Sequence, residues 1–253
     1  MSRRKKKIVE NLLITDIVPE GKGLGRADDL VVFVKDVVPG DVVDVLIQKN
    51  KSSYKEGIAV KFHKYSDLRR PARCKHFGLC GGCKWQNISY DEQLKFKEKI
   101  TKDAFDRIAK VPIGEILPIL PSNEVFFYRN KLEFTFSSRR WLTPQEMEQE
   151  RPTSAEGLGF HLPGMFDRIL DIEECFLQSE ISDKIRNVIK KYSIENKLNF
   201  YDTREQKGFL RNLIVRNSIS TQEYMVILIV GYDNKEKTTD LLNFVKENNP
   251  EIT

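Results

Sequence analysis

The sequence predicts a mainly β protein of mixed α+β class: a small antiparallel barrel over residues 1–65, then a mixed α+β domain over residues 66–253. Three observations predict it. Residues 8–63 hold about five short runs rich in Val and Ile, separated by Gly, Pro and Asp turns, the signature of a small barrel. Beyond residue 90, helical and alternating patterns follow one another. Between the two parts stands a cysteine loop, Cys74-Lys-His-Phe-Gly-Leu-Cys80-Gly-Gly-Cys83.

In the first part, Leu12–Val18, Leu30–Val34, Val42–Ile47 and Tyr54–Phe62 read as strands, with turns at Pro19–Gly21 and Val38–Asp41. The spacing suits an OB-like barrel. Gly21-Lys-Gly-Leu-Gly-Arg26 is not read as a nucleotide loop, because no helix follows it and no βαβ unit surrounds it. It reads as glycines feeding a barrel hairpin, with Lys22 and Arg26 at the rim, where such barrels meet nucleic-acid backbone. Tyr65–Pro71 reads as a linker.

Beyond the cysteine loop, Trp85 and Tyr90 are expected to pack over a metal site. Asp91–Ala109 reads as a helix, with Leu94, Ile100, Ala104, Phe105 and Ile108 at helical spacing and Lys95, Lys97, Lys99 and Lys102 mostly outside. Phe126–Phe136 alternates as a strand. Asn130, Leu132, Phe134 and Phe136 face one way, and Arg129, Lys131, Glu133 and Thr135 the other. Trp141–Ala155 is polar and reads as a loop. Gly157–His161 and Ile169–Ile172 read as strands, the second delivering Cys175. Gln178–Tyr192 reads as a helix with Ile181, Ile185, Val188 and Ile189 on one face. Phe209–Arg216 and Tyr224–Val230 form a hairpin, with Arg211 and Arg216 flanking its first strand, and Thr238–Lys246 reads as a helix.

Charge is unevenly placed. Residues 1–70 carry 15 Lys and Arg against 10 Asp and Glu, a balance of +5 that accounts for the whole net charge of the 253-residue chain. A basic N-terminal module suggests a polyanionic partner, most simply nucleic acid. The tract Arg3–Lys7 taken alone reads equally well as a solvated tail. No apolar run reaches the ~18–20 residues that span a bilayer, and Ile8–Ile14 is too short and too polar for an export signal. A reducing, cytoplasmic location and no membrane partner are expected.

The four cysteines are the only ones in the chain: three in C-x5-C-x2-C spacing, then Cys175. Three soft ligands on one loop and a distant fourth suit a four-thiolate site. Gly78, Gly81 and Gly82 let the loop fold tightly. Spacing leaves zinc and iron–sulfur both open, and His76 is an alternative ligand. No glycine-rich strand–loop–helix unit offers a nucleotide or S-adenosylmethionine site. His63, His76 and His161 are scattered. If the cysteines are ligands, no thiol is left as a nucleophile. On its residues alone, the chain is a metal-stapled nucleic-acid-binding scaffold with no catalytic residue assigned.

The basic barrel, with Gly21–Arg26, Val31–Val34 and Val38–Asp41, resembles a TRAM domain, an RNA-binding barrel. The cysteine pattern, Tyr128-Arg-Asn-Lys131, Gly157–His161 with Asp171–Cys175, and Leu210–Arg216 resemble the RNA uracil-5-methyltransferases. The resemblance is nearest to the 23S ribosomal RNA enzymes that carry a TRAM domain and an iron–sulfur domain; the related transfer-RNA enzyme typically lacks both. It implies that Cys74, Cys80, Cys83 and Cys175 ligate a 4Fe-4S cluster, with zinc as the alternative. It implies RNA contacts at Arg129 and Lys131, and adds Arg211 and Arg216 to Lys22 and Arg26 as candidates. In the family, a cysteine adds to C6 of a flipped-out uracil, S-adenosylmethionine methylates C5, and a base removes the C5 proton. The fold for that cofactor, the nucleophile and the base would lie beyond Thr253. The chain is therefore expected to be an N-terminal portion, inert alone, with the helix over 91–110 a candidate to pack with the catalytic domain.

Two other readings compete. One is a stand-alone RNA-binding module with a zinc or iron–sulfur staple and no obligate protein partner. The other, a radical S-adenosylmethionine enzyme, is disfavoured because its loop spacing is C-x3-C-x2-C with one iron left open.

Overall fold

The structure, a computed structural model, describes residues 7–148 and 155–253. Most of the basic tract Arg3–Lys7, and residues 149–154 of the polar loop, lie outside the described residues. The chain forms two compact units, Met1–Gly78 with Cys83–Asn123, and Leu79–Gly82 with Glu124–Thr253. The expected boundary at residue 65 thus falls within the first unit.

The first unit is built on five strands: β1 (Ile8–Val18), β2 (Lys22–Ala27), β3 (Leu30–Lys35), β4 (Val42–Asn50) and β5 (Tyr54–Lys64). They close into a barrel in the order β1-β2-β3-β5-β4. Only the β3–β5 pairing is parallel. Alternation fills the interior with Leu12, Ile14, Val32, Val34, Val37, Val43 and Val45, with Phe62 packed against them. The glycines of the G-x-G-x-G stretch serve this packing. A Cβ at Gly23 would lie 2.4 Å from Val37 Cγ2, and one at Gly25 would lie 2.6 Å from the Leu13 carbonyl oxygen. β1 bulges at Asn11, whose φ is 51°. Its freed N–H donates to Asp44 Oδ1 at 2.9 Å.

α1 (Tyr90–Ala104) begins at Ser89, whose hydroxyl accepts the Glu92 N–H, and runs on as a wider five-residue turn, Phe105–Ala109. It packs on the end of the barrel. Phe96, absent from the apolar stripe read in the sequence, joins Leu68 and Trp85 against Ile17, Val38 and Ile88. Lys99 Nζ reaches Asp16 at 2.6 Å. Trp85 therefore serves this apolar cluster, and α1 has a partner within its own unit.

The second unit contains β6 (Lys131–Ser137), β7 (Arg140–Trp141), α2 (Pro144–Glu148), β8 (Gly157–His161), β9 (Ile169–Asp171), α3 (Glu180–Glu195), β10 (Leu210–Asn217), β11 (Tyr224–Val230) and α4 (Lys235–Asn248). Its sheet runs β11-β10-β6-β8-β9-β7. The strand expected from Phe126 begins only at Lys131. Phe127 has φ 57°, and the Phe127 and Arg129 amides donate to the Phe176 and Leu177 carbonyls rather than to the sheet. The loop expected over 141–155 contains α2. One face of the sheet is buried through Leu132, Phe134, Phe136, Leu213 and Val215. α3 lies on that face, with the Arg186 guanidinium 5.0 Å from the Phe134 ring centre. α4 meets α3 through Phe244 on Tyr192. No helix among the described residues is long and apolar enough to cross a membrane.

Candidate nucleic-acid interface

The opposite face of the β11-β10-β6 ribbon is open. Strand register lines its residues up in three rows. Lys131, Arg216 and Met225 form the first, Glu133, Ile214 and Ile227 the second, and Thr135, Asn212 and Ile229 the third. Asn212 Nδ2 donates to Thr135 Oγ1 at 3.2 Å and to Glu133 Oε1 at 3.3 Å, which fixes these side chains on one face. Met225, Ile227 and Ile229 are exposed. The face is thus apolar along the β11 edge and polar along β6, with two cations at one end.

Those cations are Lys131 and Arg216, directly opposite one another on β6 and β10. Both are exposed, and neither makes an ion pair among the described residues. Like charges facing across a strand pair are destabilising, and an anion placed between these two would relieve the repulsion. Arg129 lies just before β6, also exposed. The sequence candidates Lys131 and Arg216 therefore meet at one end of the open face, and Arg129 precedes that end by two residues. Arg211 does not join them. It sits at the other end of β10, its guanidinium 5.1 Å from the centre of the Tyr201 ring.

The two candidates in the first unit differ from each other. Lys22 is half-buried and pairs with Glu20 at 3.2 Å. Arg26 is exposed on β2, next to a turn carrying Asp28 and Asp29. Its positive potential is offset by that turn. A stronger feature of the same unit lies in the segment that the sequence marks as a linker, Tyr65–Pro71. Beyond β5, Tyr65 stacks on Phe62, with ring centres 4.9 Å apart and planes 14° from parallel. Arg69 lies against both rings, 5.2 Å and 5.4 Å from their centres. Aromatic residues three apart, with Arg four further on, were the available signal. It was missed because Tyr65 lies beyond the alternating pattern.

The cysteines divide two and two: Cys74 and Cys83 belong to the first unit, Cys80 and Cys175 to the second. None forms a disulfide. Three are half-buried and Cys175 is buried. The Gly82 N–H donates to Cys80 Sγ at 3.4 Å, and the Cys175 N–H to Asp183 Oδ2 at 2.9 Å. Burial raises the Asp183 carboxyl above its ordinary pKa, against the lowering pull of Arg186 and of that amide. Among the described residues, no group of three or more His, Cys, Asp or Glu is placed to hold a metal ion. No glycine-rich turn joining a parallel strand to a helix is found among the described residues, so no residue is assigned to S-adenosylmethionine either. Of the three histidines, His63 is engaged as a partner of Asp44 at 2.7 Å.

Residues 4–60 match the model of the TRAM domain. Over 238 residues the chain is 49% identical to a protein of Bacteroides thetaiotaomicron described as an uncharacterized RNA methyltransferase, covering 92% of this chain and 52% of that one. A protein of Porphyromonas gingivalis with the same description is 44% identical over 246 residues, with 95% and 53% covered. The chain spans about half the length of the curated relatives it matches. Its fold is similar to that of the Pyrococcus abyssi tRNA (uracil-54, C5)-methyltransferase, solved with S-adenosyl-L-homocysteine. The TM-score is 0.60 at 24% identity, over 91% of this chain and 48% of that one. A protein named for transfer RNA therefore shares this fold. The chain carries a TRAM-like barrel and is similar, over nearly all its length, to about half the length of relatives described as uncharacterized RNA methyltransferases.

Proposed function

We propose that this chain supplies RNA recognition to an S-adenosylmethionine-dependent methyl transfer to uracil C5. The observation that carries the proposal is the 49% identity over 92% of the chain to a relative described as an RNA methyltransferase. The open face bearing Lys131 and Arg216 supports it, because two cations without an ion pair among the described residues, beside apolar side chains, suit phosphate and base together. Ribosomal RNA of the 23S class is the first candidate substrate. Transfer RNA is the second, since the fold is shared with an enzyme named for it. The four cysteines are kept as proposed thiolate ligands of a 4Fe-4S cluster, with zinc as the rival, on the chemistry of the donor set and the amide directed at Cys80 Sγ.

The test is binding of the purified chain to 23S and transfer-RNA transcripts over a range of salt, with tritiated S-adenosylmethionine present. Binding that weakens with salt is expected. Absence of binding to either RNA at low salt contradicts the proposal. Methyl incorporation by this chain alone would move the transfer step onto it.

A further inference from the structure

Tyr65 is 62% exposed, yet its ring is not left to wander. Phe62, anchored against the barrel core, stacks on one face of it. Arg69 stands nearly equidistant from both ring centres, so it lies beside the stack and not at its end. Arg69 is itself fixed. Its Nε and Nη2 donate to the two oxygens of the buried Asp41, at 2.9 Å and 2.6 Å. Asp41 also accepts the Val38 and Ser66 amides, which sets the backbone on the far side of Tyr65. An aromatic plane is thus held rigidly with its outer face in water, while it fills no core. Around it, residues 61–73 carry Lys61, Lys64, Arg69, Arg70 and Arg73 against Asp67; with Arg69 taken up by Asp41 and Lys61 opposite Asp44, a cationic surplus remains in the segment.

We infer that Tyr65 is a stacking platform for an unpaired RNA base, with Lys61, Lys64 and Arg70 meeting the flanking phosphates. The inference rests on the RNA-binding reading above and adds to it a site that the TRAM match at 4–60 does not reach. A rigid π face costs little side-chain entropy on binding and accepts any base, whereas the surrounding cations select a polyanion. The same surroundings disfavour a basic or neutral protein segment as the occupant.

The probes are a fluorescent oligouridylate of about 12 nucleotides, within the span such sites cover, and an abasic strand of the same length. Tyr65→Ala is expected to weaken oligouridylate binding about tenfold, the loss of one base–aromatic stack, and to leave abasic binding unchanged. Tyr65→Phe is expected to bind within about twofold of the parent, since the π face is kept. Tyr65→Leu, apolar but without a π face, should behave as Tyr65→Ala does and guards against a folding artefact in either variant. Unchanged oligouridylate binding in Tyr65→Ala and Tyr65→Leu, or equal loss on both strands, overturns the platform. If the parent chain binds the longer transcripts in that case, the RNA-binding reading survives it. If the parent binds no RNA at all, that reading falls as well.

Discussion

Asp41 holds Arg69 across 28 residues of chain, through two hydrogen bonds between a carboxylate that is fully buried and a guanidinium that is 23% exposed. The bidentate pair joins the turn before β4 to the segment after β5 and so closes the exit of the barrel. Asp41→Asn breaks it and leaves a buried donor mismatched. The expected loss of stability is about 2–4 kcal/mol, toward the range for breaking one side of a buried pair. Urea unfolding followed by Trp85 fluorescence in a Trp141→Phe background reads it. Arg69→Lys should not restore the parent value, because an ammonium cannot fork to both oxygens. A loss below about 1 kcal/mol would contradict the anchoring role.

Asp44 shows a different dependence, on pH. The Asn11 amide, freed by the bulge in β1, and then His63 hold its carboxyl below the ordinary 3.8. A depressed folded pKa gives stability that is present above the unfolded value and lost as pH falls through the folded one. The gap in melting temperature between the parent and Asp44→Asn should therefore be full above about pH 5 and close in acid. A gap that stays constant from neutral pH into acid would show that shape and not charge is what the variant loses.

How much of this was legible in the sequence depended on whether the signal was local. Val- and Ile-rich runs set four of the five barrel strands, β2 with neither residue being legible only as a glycine hairpin, and Leu132, Phe134 and Phe136 set the buried face of β6, because such local patterns need no tertiary knowledge. The start of β6 was misplaced because Phe127 adopts a left-handed backbone that an aromatic residue does not announce. Lys131 and Arg216 were legible as cations but not as neighbours. Their opposition depends on β10 pairing with β6, across about 80 residues of intervening chain. Phe62 and Tyr65 were each visible, but their stacking depends on Asp41 fixing Arg69, a contact no spacing rule contains.

The cysteines give a prediction about metal. Protein purified without oxygen is expected to hold about four irons and to absorb broadly near 400 nm, as four-thiolate cluster ligation requires. Cys175→Ser should lower iron content, and chelation of the parent should lower its melting temperature, because ligand binding is folding free energy here. One zinc per chain and no iron would assign a zinc staple in place of the cluster. Neither metal in anaerobic protein would remove the ligand proposal for all four residues.

Lys131 and Arg216 allow binding and stability to be separated. Each faces the other without a carboxylate partner, so removing either should relieve repulsion and leave the fold as stable as the parent, or a few tenths of a kcal/mol more so. If they meet phosphate, the same substitutions must weaken RNA. Lys131→Ala and Arg216→Ala are each expected to lower affinity alike across RNA sequences and to reduce the slope of log K against log salt by about one. Lys191→Ala, on the exposed side of α3 beside Glu195, should change neither quantity and serves as the control. Weaker binding together with unchanged or raised stability identifies an anion site. Weaker binding together with lost stability would mean that the two cations support the sheet, and the open face would then lose its claim on RNA.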